Sequence, residues 1–184
     1  MDEPAPGDWR KEVLRFWFRL EPGQWWKSDE QLDRRSRERF KPLWEEKRER
    51  PISEFLLDPL TALAAVILLD QFPRNIFRGH ADQYASDHVA IAVAKGAVER
   101  GFDDDLAPVE RGFLYMPFQH SEDRKVQARS IELFTQLDDP ENLGYARKHQ
   151  EIIDRFGRFP HRNEVLGRVS TPEEAQFVAT HRGF

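Results

Sequence analysis

A run of apolar residues from Leu60 to Leu69, broken only by Thr61, dominates the architecture of this 184-residue chain. Asp58 and Pro59 precede the run in the order typical of a helix start, with Asp as the N-cap and Pro in the first turn. A helix that is apolar on every side has to lie inside a domain. The sequence therefore predicts a central, buried helix over 58–72 that ends at Pro73.

The remaining segments also have the pattern of helices, and none alternates apolar and polar residues as a strand would. We expect an all-α fold, a compact antiparallel array of about seven or eight helices in a single domain over 1–184. The Trp25-Trp26 pair is expected in a loop. The expected helix starts are Asp8, Ser28, Pro108, Ser121, Asp139 and Thr171, and the expected stops include Gly101 and Gly157.

Composition and charge exclude several classes of protein. There are no cysteines, which excludes disulfide scaffolds, thiolate metal sites and cysteine nucleophiles. The net charge of −5 disfavours a nucleic-acid binder, and no apolar run is long enough to span a bilayer. The start, Met1 to Pro4, is acidic and lacks the apolar region of a signal peptide. We expect a soluble, cytoplasmic protein without nucleic-acid or membrane partners; the sequence leaves the oligomeric state open.

The second predicted helix, from Asp29 to about Arg50, carries a dense mixture of basic and acidic residues. A docking surface would explain this charge run. The mixed signs favour instead a solvated face with i,i+4 pairs.

Two loops repeat one pattern. Residues 70–75 read Asp-Gln-Phe-Pro-Arg-Asn, and residues 154–163 begin with Asp-Arg-Phe and finish with Phe-Pro-His-Arg-Asn. The repeat fits either an ancient duplication of a helix hairpin or convergent use of one helix-ending device.

Asp70 is the most informative polar residue, because it follows the apolar face of the central helix. An unpaired carboxylate there would cost several kcal/mol, so it needs a cationic or donor partner. It could act as an acid or base in a cleft, or form a structural ion pair between two helix hairpins. The candidate partners are Arg74, Arg155, Arg158 and Arg162.

Four potentially cationic side chains fall within eight residues: Arg155, Arg158, His161 and Arg162. Guanidinium groups bind phosphates and carboxylates bidentately, so this cluster suggests an anion site. The alternative is pairing with nearby acidic residues. His149 lies on the apolar face of its helix, where a hydrogen-bonded core role competes with a functional one. His120 precedes a helix start, where it could join an anion pocket or serve a turn role.

We expect the two Phe-Pro loops and the His120 turn to face one cavity. If every connection reverses the chain, the third, fifth and seventh helices run in the same direction, so that their C-terminal ends lie together. The spacing of histidines and carboxylates matches no compact metal motif, and no phosphate loop or nucleophile elbow is present. We therefore expect no metal and no cofactor.

Several motifs resemble those of a bacterial family catalogued as domain of unknown function 924. They are residues 13–18, 70–79, 116–123 and 149–168, so the resemblance extends over almost the whole chain. The resemblance implies a helical fold similar to tetratricopeptide-like arrays. It implies no activity, because none is established for the family. His80 departs from the small hydroxyl residue expected at that position, which puts any role proposed for it in doubt.

Three functions compete at this point. The first is binding of a small anionic molecule, with acid–base catalysis by Asp70 or His149. The second is a tetratricopeptide-like interaction module, which the absence of a period near 34 residues disfavours. The third is a structural protein whose polar loops lock its helices. The candidate ligand-binding residues are Arg74, Asn75, His120, Arg155, Arg158, His161, Arg162 and Asn163.

Overall fold

The computed structural model describes residues 7–181, and these residues form helices joined by short loops with no strand among them. The predicted all-α class is confirmed. The acidic N-terminal residues considered above lie outside the described range. The α-helices are α1 (Trp9–Trp17), α2 (Pro22–Trp26), α3 (Glu30–Lys47), α4 (Pro59–Val66), α5 (Phe72–Ile76), α6 (Asp87–Glu99), α7 (Pro108–Gln119), α8 (Arg124–Gln136), α9 (Pro140–Phe156) and α10 (Pro172–Thr180).

The chain divides into two compact units. The first comprises Met1–Arg78 and Asp82–Pro117, and the second comprises Gly79–Ala81 and Phe118–Phe184. That the whole chain is one domain stays a prediction. None of the helices in residues 7–181 is long and apolar enough to cross a membrane.

The central helix of the first unit is buried as predicted, since Leu63, Ile67 and Leu68 are each 0% exposed. The prediction that Pro73 ends it is wrong. Residues Ile67–Gln71 form a π-helical turn that joins α4 directly to α5, and the helix continues to Ile76. A wider turn just before a proline removes the clash between the proline ring and the preceding turn. The helical turns of α4, the π-helical turn and α5 therefore form one continuous central rod that passes through Pro73.

Around this rod, aromatic side chains fill the first unit. Phe40 of α3 stacks on Phe72 with ring centroids 4.3 Å apart. Trp17 of α1 meets Phe72 edge-on at 5.5 Å and Phe113 of α7 at the same distance. Such pairs add about 0.5–1.5 kcal/mol each beyond their buried area, so α1, α3 and α7 are fixed to the central rod.

The second unit is built on the antiparallel pair α8 and α9. One apolar cluster of this unit comprises Ile152, Ile153 and Phe159, with Phe156 and Phe177 packed against it. Phe177 belongs to α10, so the last helix closes over this cluster.

Several helix starts differ from the sequence predictions by one or two residues. Asp29 caps α3, where Ser28 was expected, and Asp123 caps α8 in place of Ser121. Asp8 stands at the N-cap of α1 without a side-chain cap bond, and pairs with Arg10 instead. A carboxylate is the better acceptor for the free N–H groups of a helix start, which explains why Asp prevails over the neighbouring Ser.

Other local predictions are confirmed. Asp58, Asp139 and Thr171 cap their helices, and Gly101 and Gly157 adopt the left-handed conformation at helix ends. The loop expected at Trp25-Trp26 is instead the five-residue helix α2, which Glu21 and Gln24 start with a reciprocal capping box.

Candidate functional site

The residues of the predicted shared cavity belong to two units. Asp70, Arg74 and Asn75 lie in the first unit. The second unit holds His120, His149, Arg155, Arg158, His161, Arg162 and Asn163. That one cavity unites them stays a prediction, so the surroundings of each group are described separately.

In the first unit, the π-helical turn has an unusual set of hydrogen bonds. Pro73 has no N–H to donate to the preceding turn. Side chains donate instead to the carbonyl groups of that turn. The Ser86 hydroxyl donates to the carbonyl of Leu69 at 2.6 Å and accepts from Trp44 Nε1 at 2.8 Å. The guanidinium of Arg74 donates to the carbonyl of Asp70. Turns of this type are frequent at functional sites.

Asp70 lies in this turn and is 0% exposed. Gln71 Nε2 donates to its Oδ2 at 2.7 Å, and Arg74 Nη1 lies 3.4 Å from its Oδ1. The prediction that Asp70 has a cationic partner is confirmed, and the partner within this unit is Arg74.

Arg74 also binds Asp87 in a two-pronged contact of 2.9 and 3.0 Å. Burial disfavours its charged form, but the charges of Asp70 and Asp87 outweigh this effect and raise the pKa of Arg74. A guanidinium between two carboxylates is held permanently charged and in one orientation. Arg74 therefore supplies a positive charge that the buried Asp70 shares with Asp87.

Asn75, a candidate ligand-binding residue, contacts a second buried acid. Its Nδ2 donates to Asp33 Oδ1 at 2.9 Å, and Arg78 binds the same carboxylate at 2.6 and 3.0 Å. These contacts tie α3 to the end of the central rod.

In the second unit, two arginines of the predicted anion cluster are paired with α10. Arg158 forms a two-pronged contact with Glu174 at 2.7 and 2.8 Å, and Arg155 contacts Glu173 at 2.7 Å. Glu174 is only 3% exposed. The hydrogen bonds from Arg158, opposed by burial, lower the pKa of Glu174 to about 2.

Asn163 and Arg168 extend this network. Asn163 is 1% exposed and donates to Ser170 Oγ at 3.0 Å. Arg168 donates to Asn163 Oδ1 at 2.9 Å and binds Glu122 at 2.8 and 3.0 Å. The Phe159 N–H donates to Glu122 at 2.7 Å. The polar loop after α9 is thus cross-linked to the turn before α8.

Arg162 and His149 contact the ring of Phe159, and His120 lies next to them. The guanidinium of Arg162 lies 4.5 Å from the Phe159 ring centroid, and its Nη2 donates to the carbonyl of His120 at 2.8 Å. The His149 ring meets Phe159 edge-on at 5.5 Å and lies 6.3 Å from the His120 ring. His149 Nδ1 is 2.8 Å from the Tyr145 carbonyl, which leaves Nε2 directed away from its own helix. His161 lies apart from this group, with Nε2 3.0 Å from the carbonyl of His181.

The turn that carries His120 is held by buried donors. Gln127 is 0% exposed, and its Nε2 donates to the carbonyls of Gln119 and Ser121 at 2.7 and 2.6 Å. With Arg162 on the carbonyl of His120, all three successive carbonyls accept a side-chain donor. The turn is therefore fixed before any ligand arrives.

Sequence reasoning missed the acidic members of these networks. Glu174 stands at the fourth position of the Thr171 capping box, and Glu122 and Arg168 lie inside motifs already singled out. Asp87 and Ser86 had no sequence signal, because their role depends on the carbonyls and charges of the central rod. No group of three metal-ligating side chains occurs in the described part of the chain.

Comparison with known proteins agrees with this structure. A solved protein of unknown function from Agrobacterium tumefaciens is similar over 94% of this chain and 97% of its own length, with 38% identity and a TM-score of 0.88. No curated protein matches the chain. The profile of a family described as bacterial proteins of unknown function matches residues 13–182. Since the match extends over nearly all of its length, the chain belongs to this bacterial family, DUF924.

Proposed function

We propose that the protein binds a small anionic molecule at the group formed by Arg162, His120 and His149. The carrying observation is that Arg162 and His149 contact the ring of Phe159, and that His120, on a turn held by Gln127, lies next to both. Arginine and histidine are the usual donors to phosphate and carboxylate groups in proteins.

The distances support a small ligand. His120 and His149 have ring centroids 6.3 Å apart, which is wide enough for one oxyanion to accept hydrogen bonds from both rings. The Arg162 guanidinium lies 4.5 Å from the Phe159 ring centroid and donates to the His120 carbonyl, so its orientation is already restricted and binding costs less side-chain entropy.

His149 is the better acid–base candidate of the two predicted from the sequence. Its Nδ1 is oriented by a backbone carbonyl, and such a contact fixes the tautomer of a working histidine. Asp70 is fully buried and paired with Arg74, which favours its structural role.

Arg155, Arg158 and Asn163 belong to a structural network in this proposal. Arg155 and Arg158 pair with Glu173 and Glu174, and a ligand would have to displace those carboxylates to reach them. The site proposed here comprises Arg162, His120 and His149 and not the whole cluster expected from the sequence.

The test is a titration with inorganic phosphate, followed by the ring signals of His120 and His149 in NMR spectra of the full chain. Saturable shifts of both rings are expected, and Arg162→Gln should weaken binding at least tenfold. Arg129→Gln is the matched control, because Arg129 is a half-exposed arginine paired with Glu132 in the same unit. Unmoved histidine signals, or equal effects of the two substitutions, would refute the proposal.

A further inference from the structure

The last helix, α10, is attached to the second unit in an unusual way. Of its nine residues, all of which the structure describes, Glu174 alone is buried. Phe177 is partly buried against Phe156, with ring centroids 5.1 Å apart, and the other residues of the helix are exposed. A surface helix normally packs on its domain through an apolar stripe. The deepest contact of α10 is instead a carboxylate.

The surface under α10 is matched to this carboxylate. We call this surface the α10 seat and define it by Arg155, Arg158 and Asn163. Arg158 contacts Glu174 at 2.7 and 2.8 Å, and Asn163 Nδ2 lies 3.4 Å from the same carboxylate. Arg155 contacts Glu173 at 2.7 Å. The proposed anion site uses none of the three seat residues.

The seat is held in shape by contacts that do not involve α10. Arg168 donates to Asn163 Oδ1 at 2.9 Å and binds Glu122 at 2.8 and 3.0 Å. The N–H of Phe159 donates to the same Glu122 at 2.7 Å. The loop over 159–168 is therefore fixed to the turn before α8 independently of α10, and the seat is formed before a helix docks on it.

A two-residue hinge, Val169 and Ser170, joins Arg168 of this fixed loop to Thr171, the N-cap of α10. Both hinge residues are exposed, Val169 to 88%. Polar contacts of 2.8 Å to the Val169 carbonyl and 3.0 Å to Ser170 Oγ hold the hinge against the seat. A change of backbone torsion angles here moves α10 as one body. Short hinge loops are the setting in which two copies of a chain exchange an element.

We propose that the α10 seat also receives α10 from a second copy of the chain, so that two copies exchange their last helices and form a dimer. A second copy is the partner that fits, because it brings a carboxylate for Arg158 and an aromatic ring for Phe156 at the spacing that the seat requires. The same contacts form between copies as within one chain. Within one chain the tether gives α10 an effective concentration on the order of millimolar, so the closed single chain prevails in dilute solution.

The test mixes two full-length variants that each break one half of the Arg158–Glu174 pair. Arg158→Gln keeps a native α10 above a defective seat, and Glu174→Gln keeps a native seat under a defective α10. Exchange between the two variants restores one complete pair, whereas exchange within either variant alone restores none. We expect a 1:1 heterodimer in the mixture, at least tenfold more abundant than the dimer in either separate sample. Light scattering measures the dimer, and native mass spectrometry with one variant labelled with ¹⁵N identifies its two chains.

The matched control is a mixture of Arg129→Gln with Glu132→Gln. These substitutions break an ion pair inside α8 of the same unit, and exchange of α10 does not restore it. The control mixture should therefore stay monomeric. A labelled peptide of residues 169–181 gives a second measurement that does not depend on the folding of Arg158→Gln. It should bind the Glu174→Gln protein at least tenfold more tightly than a peptide that itself carries Glu174→Gln.

Four results would overturn the exchange of α10. The first is a mixture of Arg158→Gln and Glu174→Gln with no more dimer than the separate samples. The second is an equal amount of dimer in the control mixture. The third is a heterodimer that persists when the Arg158→Gln chain also carries Glu174→Gln, because no native α10 is then present. The last is equal binding of the two peptides.

Discussion

Removing the Ser86 hydroxyl should destabilise the protein far more than the loss of one oxygen atom suggests. This hydroxyl is 1% exposed, donates to the Leu69 carbonyl and accepts from Trp44 Nε1. In Ser86→Ala both partners stay buried and lose their hydrogen bond. Each buried, unsatisfied group costs about 1–3 kcal/mol, so the free energy of unfolding should fall by about 3 kcal/mol.

Urea denaturation followed by tryptophan fluorescence measures this loss, because Trp44 is one of the two partners. The matched control is Ser36→Ala in the same unit. Ser36 is 0% exposed, and its hydroxyl makes no hydrogen bond to the described part of the chain. The same chemical change there should alter the free energy of unfolding by less than about 0.5 kcal/mol. Equal effects of the two substitutions would refute the reasoning that Ser86 replaces the N–H missing at Pro73.

Three further substitutions test other parts of the structure. Asp70→Ala should cost about 3 kcal/mol, the low end for breaking a buried pair, because Arg74 keeps Asp87 as a partner; a loss below about 1 kcal/mol in urea titrations would contradict the pairing. The pKa of Glu174 is lowered to about 2 in the folded chain, so its ion pair stabilises the protein above about pH 5. This stabilisation is on the order of 2 kcal/mol after allowance for solvent screening, and it is lost as the pH falls toward 2. Urea midpoints at pH 7 and pH 3 should therefore differ less in Glu174→Gln than in the wild type, and an unchanged difference would show that Glu174 is not the titrating group. Gly144→Ala should stabilise α9 by about 0.5–1 kcal/mol, since a Cβ there meets nothing within 4 Å; a lower melting temperature would contradict this.

The sequence alone predicted the helical class, the buried rod and several helix caps and stops, because these depend on local patterns. Caps and stops such as Asp58 and Gly157 are determined by their immediate neighbours. The prediction at Pro73 was wrong because the effect of this proline depends on Ser86, which is distant in the chain and supplies the missing donor.

For the candidate site, the sequence identified the cationic residues but not their partners. Arg158 and Arg162 are four residues apart, and the sequence gives no reason to assign them different roles. In the structure Arg158 contacts Glu174 of α10, whereas Arg162 contacts the His120 carbonyl and the Phe159 ring. Only the placement of α10 and of the His120 turn separates the structural arginine from the candidate binding residue.

One carboxylate holds α10 in two ways. Glu174 accepts from the Thr171 N–H at 2.8 Å in the capping box, and it also receives the fork of Arg158. Protonation of this one group weakens the start of the helix and its attachment together. Lowering the pH from about 5 toward 2 should therefore lower the opening free energy of α10 selectively. The amide hydrogens of α10 should then exchange with solvent before those of α8 and α9, as a cooperative segment that opens by itself.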